Sequence, residues 1–275
     1  MFQRGTTPFL IDAMTTPLLP PLPPLPMDRL VNFSTPVSWG ISDPVRFQQL
    51  MDEAKSLVTG GYYLGDNLFT WLRNNSAFED ESFTRSFSDN AQNSSDSAIA
   101  WRRYLLICSA CHALQMEGDF VECGVYVGTG VKTVIDYFGK EKFSKQFWGY
   151  DTFDYHPTEG HDFPEQREGL HDKVCQRFAE YPQVHMIKGF LPESFQYGCP
   201  EKIAYLHIDL NNAEGEIASL EYLWDRIVPG GLVILDDYEW AGIYREQKRQ
   251  EDLWFQQRGY RVFPLPTGQG FVIKR

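Results

Sequence analysis

Apolar and polar positions follow two rhythms along this chain, and the rhythm changes near residue 101. Beyond it, short β-branched and aromatic runs alternate with stretches whose apolar positions recur every three to four residues. The runs predict strands over 120–125, 146–150, 184–188, 204–209 and 232–235. The stretches between them predict helices over 131–138, 167–181 and 213–226. Strands alternating with helices imply an α/β fold, doubly wound, with a mostly parallel sheet covered on both faces. Two final runs, 260–264 and 270–274, flank Pro266-Thr267-Gly268 and predict an antiparallel hairpin that closes the sheet.

Upstream, Phe47, Leu50, Met51, Ala54 and Leu57 recur at helical steps, so the stretch from about 43 to 71 reads as helical. Residues 74–98 are rich in Ser, Asn and Asp and read as a loop. Residues 15–26 form a proline-rich tract, which excludes helix and central strand. The expected organisation is a flexible leader over 1–27, a helical cap or oligomerisation segment over 28–100, and one larger domain over 101–275. A helix from about 101 to 116 should open that domain and bury Trp101, Tyr104, Leu105, Cys108, Cys111 and Leu114.

The same helix contains Cys108-Ser109-Ala110-Cys111-His112, the spacing of covalent haem attachment. That chemistry needs export, and the first ten residues hold no apolar core of signal length, so the cysteines read as part of a helix face. Five cysteines without a framework spacing fit a reducing cytoplasm. The balance of 25 basic against 37 acidic side chains gives a net charge of −12, which argues against nucleic-acid binding. No run approaches the ~18 apolar residues of a membrane span. A cytoplasmic protein without nucleic-acid or membrane partners is expected.

Candidate chemistry sits at the predicted strand ends. In 120–130, Phe-Val-Glu-Cys-Gly-Val-Tyr-Val-Gly-Thr-Gly, an apolar run meets Glu122, and Gly124, Gly128 and Gly130 follow before a helix. Glycines let the backbone turn tightly and approach a ligand, which the helix's first amides then face. They are spread more widely than in the dinucleotide fingerprint, which disfavours NAD and suits a nucleoside with a polar, cationic tail. Asp151 ends the second strand, where an acid accepts ribose hydroxyls, and Glu122 could hold the cationic amino group of the tail. Asp209 ends the fourth strand, and Asp236 and Asp237 end the fifth. On neighbouring strands, about 4.8 Å apart, the three carboxylates would converge. Oxygen ligands alone select a hard cation, most simply Mg²⁺. His207 shares the strand face of Asp209 and reads by default as a satisfied buried histidine, while His156, His161 and His171 follow the second strand.

Taken together, these stretches resemble class I S-adenosylmethionine-dependent methyltransferases of the macrocin type, metal-dependent O-methyltransferases acting on sugars of macrolides and aminocoumarins. The resemblance lies in 121–130, 149–153, 188–192, 206–209 and 229–238, in the family's order. It implies a Rossmann-like fold, with Glu122, Gly124, Gly128 and Asp151 holding S-adenosylmethionine. Thr129, Gly130, Thr152, Phe153 and Gly189 join them from the same stretches. It also implies Mg²⁺ on Asp209, Asp236 and Asp237, a small-molecule hydroxyl acceptor, and a homo-oligomer. The family's strand-four pattern is Asp-x-Asp, whose second acid takes the acceptor's proton, but here that position is Asn211. Catechol-type relatives place a lysine where this chain has Asn212. Asn211 is then expected to ligate or orient the substrate, and deprotonation falls to His207, a loop histidine, or solvent through the metal. The missing base motivates a second expectation, a S-adenosylmethionine-binding partner protein without turnover.

Overall fold

The computed structural model describes residue 19, residues 30–154 and residues 165–275. All of the leader and its proline-rich tract except residue 19, together with His156 and His161, lies outside the described residues. The N-terminal part begins with β1 (Phe33–Ser34) and α1 (Pro44–Leu57). Asp43 caps α1 by accepting the Arg46 N–H at 2.9 Å, and Pro44 enters the first turn, where its missing N–H costs nothing. Helix was expected as far as residue 71, but α1 stops at Leu57 and a hairpin follows, β2 (Tyr62–Gly65) with β3 (Leu68–Trp71). The cause is local. Asp66 and Asn67 both adopt positive φ, 49° and 54°, the geometry of a tight two-residue hairpin turn, and the flanks are aromatic. β1 pairs parallel with β2, completing a small three-stranded sheet.

Residues 74–98 are also more ordered than their polarity predicts. They hold α2 (Glu81–Asn90), started by Asp80, whose carboxylate accepts from the Ser82 and Phe83 amides at 3.0 and 3.2 Å. Phe83 and Phe87, one turn apart, fix its buried face. The next helix, α3 (Ala100–Ala113), is capped from outside, because Asp66 of the hairpin accepts the Trp101 and Arg102 amides at 3.0 and 3.2 Å. Its buried face differs from the expected one. Arg102, Leu106, Ile107, Ser109, Ala110 and Ala113 point inward, with Leu114 just beyond, whereas Trp101 and Cys108 are exposed and Tyr104, Leu105 and Cys111 are half-buried. The helix is rotated because an arginine finds acids inside.

The main sheet then forms from β4 (Asp119–Cys123), β5 (Phe147–Asp151), β6 (Val184–Lys188), β7 (Ile203–Ile208), β8 (Ile227–Leu235), β9 (Phe263–Pro264) and β10 (Gly270–Ile273). Its order is β6-β5-β4-β7-β8-β10-β9, the first five parallel and β10 antiparallel to both neighbours. This is the Rossmann-like sheet with the closing hairpin that the alternation predicts. Helices α4 (Thr129–Phe138), α5 (Leu170–Arg177), α6 (Ala213–Leu223) and α7 (Tyr244–Gln257) connect it, α7 being unforeseen.

Period-two alternation splits the core. Phe120, Tyr205 and Ile234 pack with α2 to α5, while Val121, Leu206, Ile208, Val233 and Leu235 pack with α6 and α7. Glu122 and His207 are register partners across β4 and β7. The chain order reverses between these two strands, so the cleft at their carboxyl ends is where such a sheet binds ligands.

Candidate active site

A cavity of about 1790 Å³ opens at that switch point. Single-ligand pockets run to ~1,000 Å³, so the space suits a cofactor and an acceptor together. Gly124 closes the seam between the strands. Its φ is +92°, and a Cβ added there would lie 1.9 Å from the Asp209 carbonyl oxygen. Glycine is therefore obligatory at this crossing.

Of the residues expected to hold the nucleoside, Gly124, Asp151, Thr152 and Gly189 line the cavity. Glu122, Gly128, Thr129, Gly130 and Phe153 stand behind it, all buried. The first turn of α4 is covered as well. Thr129 Oγ1 donates to the Asn90 carbonyl and to Asp96 at 3.3 and 3.0 Å, and Arg177 Nη1 donates to the Val127 carbonyl at 2.7 Å. Gly128, Thr129 and Gly130 are therefore packed against the chain's own residues rather than lining the cavity.

Asp151 serves the loop before any ligand. Its Oδ2 accepts the Val125 and Tyr126 amides at 2.8 and 2.7 Å, and its Oδ1 accepts the Phe153 amide at 2.6 Å. Burial nevertheless raises its pKa, outweighing the three amides. Oδ2 is filled by its two amides, and Oδ1, with one, keeps acceptor capacity.

Behind the glycines runs a buried chain of alternating charge. Glu122 Oε2 meets His207 Nδ1 at 3.0 Å, and His207 Nε2 meets Asp236 Oδ1 at 3.3 Å. Asp236 Oδ2 pairs with Arg102 Nη1, whose Nη2 reaches Asp237 Oδ1 at 3.3 Å. Burial alone would lower the imidazole's pKa, but the charges and hydrogen bonds of Glu122 and Asp236 carry it up to about 10. With both ring nitrogens engaged and the side chain buried, His207 is an ion-pair partner, and the expected role as base does not fit it. His171, expected in a loop, lies in the first turn of α5, where its Nε2 is 3.2 Å from the Met186 carbonyl and its ring packs on Phe153; it does not line the cavity.

The acids were expected to hold Mg²⁺. Asp209, Asp236 and Asp237 do meet at one end of the cavity, but a guanidinium lies among them. Asp236 Oδ1 also accepts from Gln269 Nε2 at 2.7 Å. His207, Asp209 and Asp236 can each present a ligand atom within 4.8 Å of the others, a set that omits Asp237. Yet two of those three are committed to each other and to Arg102 and Gln269. Mg²⁺ demands near-octahedral oxygen coordination at about 2.1 Å. The trio as arranged does not fit a hard divalent ion.

Asp209 is the exception among the acids. Its carboxyl lines the cavity and has no hydrogen-bond partner among the described residues. Burial, then the charges of Asp236 and Asp237, raise its pKa well above the usual range. Beside it, Asn211 sits at φ +59°, a conformation asparagine tolerates, and its Oδ1 accepts from the Tyr244 hydroxyl at 2.8 Å. Asn211 and Tyr244 both line the cavity.

The pattern was missed at Arg102, Arg103, Tyr244 and Gln269. A usable signal existed for Arg102, which heads the stripe Leu106, Ser109, Ala110, Ala113 at helical steps. An arginine on a stripe of small residues predicts a buried acid opposite. On α3, partial desolvation holds the Cys108 thiol above its ordinary range and pushes Cys111 up to about 12, which disfavours the reactive thiolate at both.

A profile of the Macrocin-O-methyltransferase (TylF) family matches residues 106–252, just over half of the chain. The chain belongs to the macrocin-O-methyltransferase family. The match spans β4 to β8, the strands that carry the acids and the glycine loop. A Streptomyces olivaceus protein, 8-demethyl-8-(2,3-dimethoxy-alpha-L-rhamnosyl)-tetracenomycin-C 4'-O-methyltransferase, is 27% identical over 142 residues. That alignment covers 45% of this chain and 54% of the relative, so the chain spans about half the length of the curated relative it matches. The solved structure of the O-methyltransferase NovP shares the fold, with a TM-score of 0.51 at 18% identity, over 63% of this chain and 79% of that one. Among the described residues no helix is long and apolar enough to cross a membrane.

Proposed function

We propose that this member of the macrocin-O-methyltransferase family transfers a methyl group from S-adenosylmethionine to a hydroxyl oxygen of a small molecule. A sugar hydroxyl is favoured over a phenol, because the Streptomyces relative is named for methylating the 4' oxygen of a rhamnosyl group. The observation that carries the reading is the unpartnered Asp209 carboxyl facing the cavity at the seam with Gly124.

S-adenosylmethionine, when bound, supplies a sulfonium methyl whose C–S electron pair returns to sulfur as the new C–O bond forms. Asp151 would accept the ribose hydroxyls while still bracing the loop. Arg103 lines the cavity with its Nε buried and unpartnered, and its Nη1 approaches the open side of Gly130. It would take the carboxylate of the methionine tail. Asp209 would remove the acceptor's proton, since it is the acid in the cavity whose carboxyl no other described residue engages. The Asn211 NH₂ would fix the acceptor oxygen beforehand, alignment being the larger part of such a transfer. No step here is routed through magnesium.

We read the N-terminal part as the segment that assembles copies of the chain. Its α1 buries none of its residues and leaves Val45, Leu50 and Leu57 exposed. Light scattering tests this, and a monomer at micromolar concentration would reject it. For the function, calorimetry with S-adenosylhomocysteine should show one site, and rhamnosylated polyketides should drive release of S-adenosylhomocysteine from S-adenosylmethionine. Absence of any binding would reject the reading. Binding without turnover on sugars or phenols would favour a regulatory partner instead.

A further inference from the structure

We propose that Arg102 is the resident cation of this site, standing where the family places a divalent ion, so that methyl transfer here needs no metal. The guanidinium is seated by more than its two acids. Its Nε donates to the Thr267 carbonyl at 3.2 Å, and its plane lies 5.1 Å from the Trp240 ring. The helix that carries it is fastened by Asp66 at the Trp101 and Arg102 amides. Four separate parts of the chain thus hold one buried positive charge: α3, the exit of β8, the turn before β10 and the hairpin of the N-terminal part.

A metal would have to evict this group, and the displaced guanidinium would be left buried without its acids. It would then find Asp236 still engaged by His207 and Gln269. Arg102 also lines the cavity beside Asp209. It can therefore do what the ion would do, and hold down the negative charge that develops on the acceptor oxygen, with no reorganisation.

The methyl-transfer half of this inference rests on the proposed function, and the ion-binding half does not. The test uses the whole protein, stripped with chelator and desalted, titrated with Mg²⁺ and then Mn²⁺. Calorimetry and tryptophan fluorescence, to which Trp240 contributes, report binding. The wild type should show no saturable signal, and turnover with chelator should stay within about two-fold of that with Mg²⁺. Arg102→Met should gain a stoichiometric Mn²⁺ site that the added change Asp236→Asn removes. Stoichiometric binding to the wild type that Asp236→Asn abolishes would overturn the proposal. Should Arg102→Met not fold, the wild-type titration alone decides. A protein that neither binds S-adenosylhomocysteine nor turns over would sink the proposed function while leaving the ion result readable.

Discussion

The two halves of the cleft are made of different materials. At the exits of β4 and β5 the backbone does the shaping, with glycines at positive φ and amides gathered by the single carboxylate of Asp151. At the exits of β7 and β8, side chains do it, and a run of opposite charges reaches from Glu122 through His207, Asp236 and Arg102 to Asp237. The first half is assembled from residues near one another in sequence. The second needs an arginine 134 positions upstream of its acid. A local device can bind a constant cofactor, and a long-range network can be retuned for each acceptor.

The contrast can be broken most severely at Asp209. Asp209→Asn should lower turnover by roughly 10²–10⁴-fold while S-adenosylhomocysteine affinity stays within a few-fold, if proton removal belongs to the second half alone. Equal losses in both would erase the division of labour. Asp151→Ala attacks the other half, where three buried amides lose their acceptor. It should cost about 3 kcal/mol of stability, read by urea unfolding, and weaken S-adenosylhomocysteine at least ten-fold.

A third comparison uses pH. Beneath the second half, Glu216 and Glu251 adjoin in the seam between α6 and α7, and the Leu210 amide donates to Glu216 at 3.2 Å. Burial raises both, Glu251 to about 7 from an ordinary 4.5. The folded protein then holds protons that the unfolded chain has released, so stability falls as pH climbs from 4.5 through 7. Glu251→Gln should flatten that slope by roughly 1–2 kcal/mol between about pH 5 and about pH 8, measured by urea unfolding. The smallest effect is expected from Tyr244→Phe. Loss of its bond to Asn211 should raise KM for the acceptor several-fold, worth about 1 kcal/mol, with cofactor affinity unchanged. The Tyr244 phenol is raised by burial and stays a donor throughout this pH range.

Much of the sheet was legible in advance because period-two alternation and glycine punctuation are local signals. Val184–Lys188 matches the expected strand end to end, and the switch point follows from strand order. The acids at the strand exits were legible for the same reason, and the structure does bring Asp209, Asp236 and Asp237 to one end of one cavity. Their occupation by Arg102 was not, since the stripe it heads signals a buried acid without saying which one. The hairpin at 62–71 was hidden because the helical spacing of Phe47, Leu50, Met51, Ala54 and Leu57 was extended past Leu57, over the period-two pairs Tyr62/Leu64 and Phe69/Trp71. The helix at 81–90 was hidden because its Ser, Asn and Asp residues serve as cap and solvent face.

The fit of Gly124 against the Asp209 carbonyl leaves only bare main chain between the glycine loop and the exit of β7. Any side chain there would act as a spacer, prising apart the two strand exits and, on the proposed function, the sulfonium and the acceptor oxygen. Redesign for new acceptors should therefore leave this point untouched and work on Phe190 and Tyr197, exposed side chains of the cavity wall.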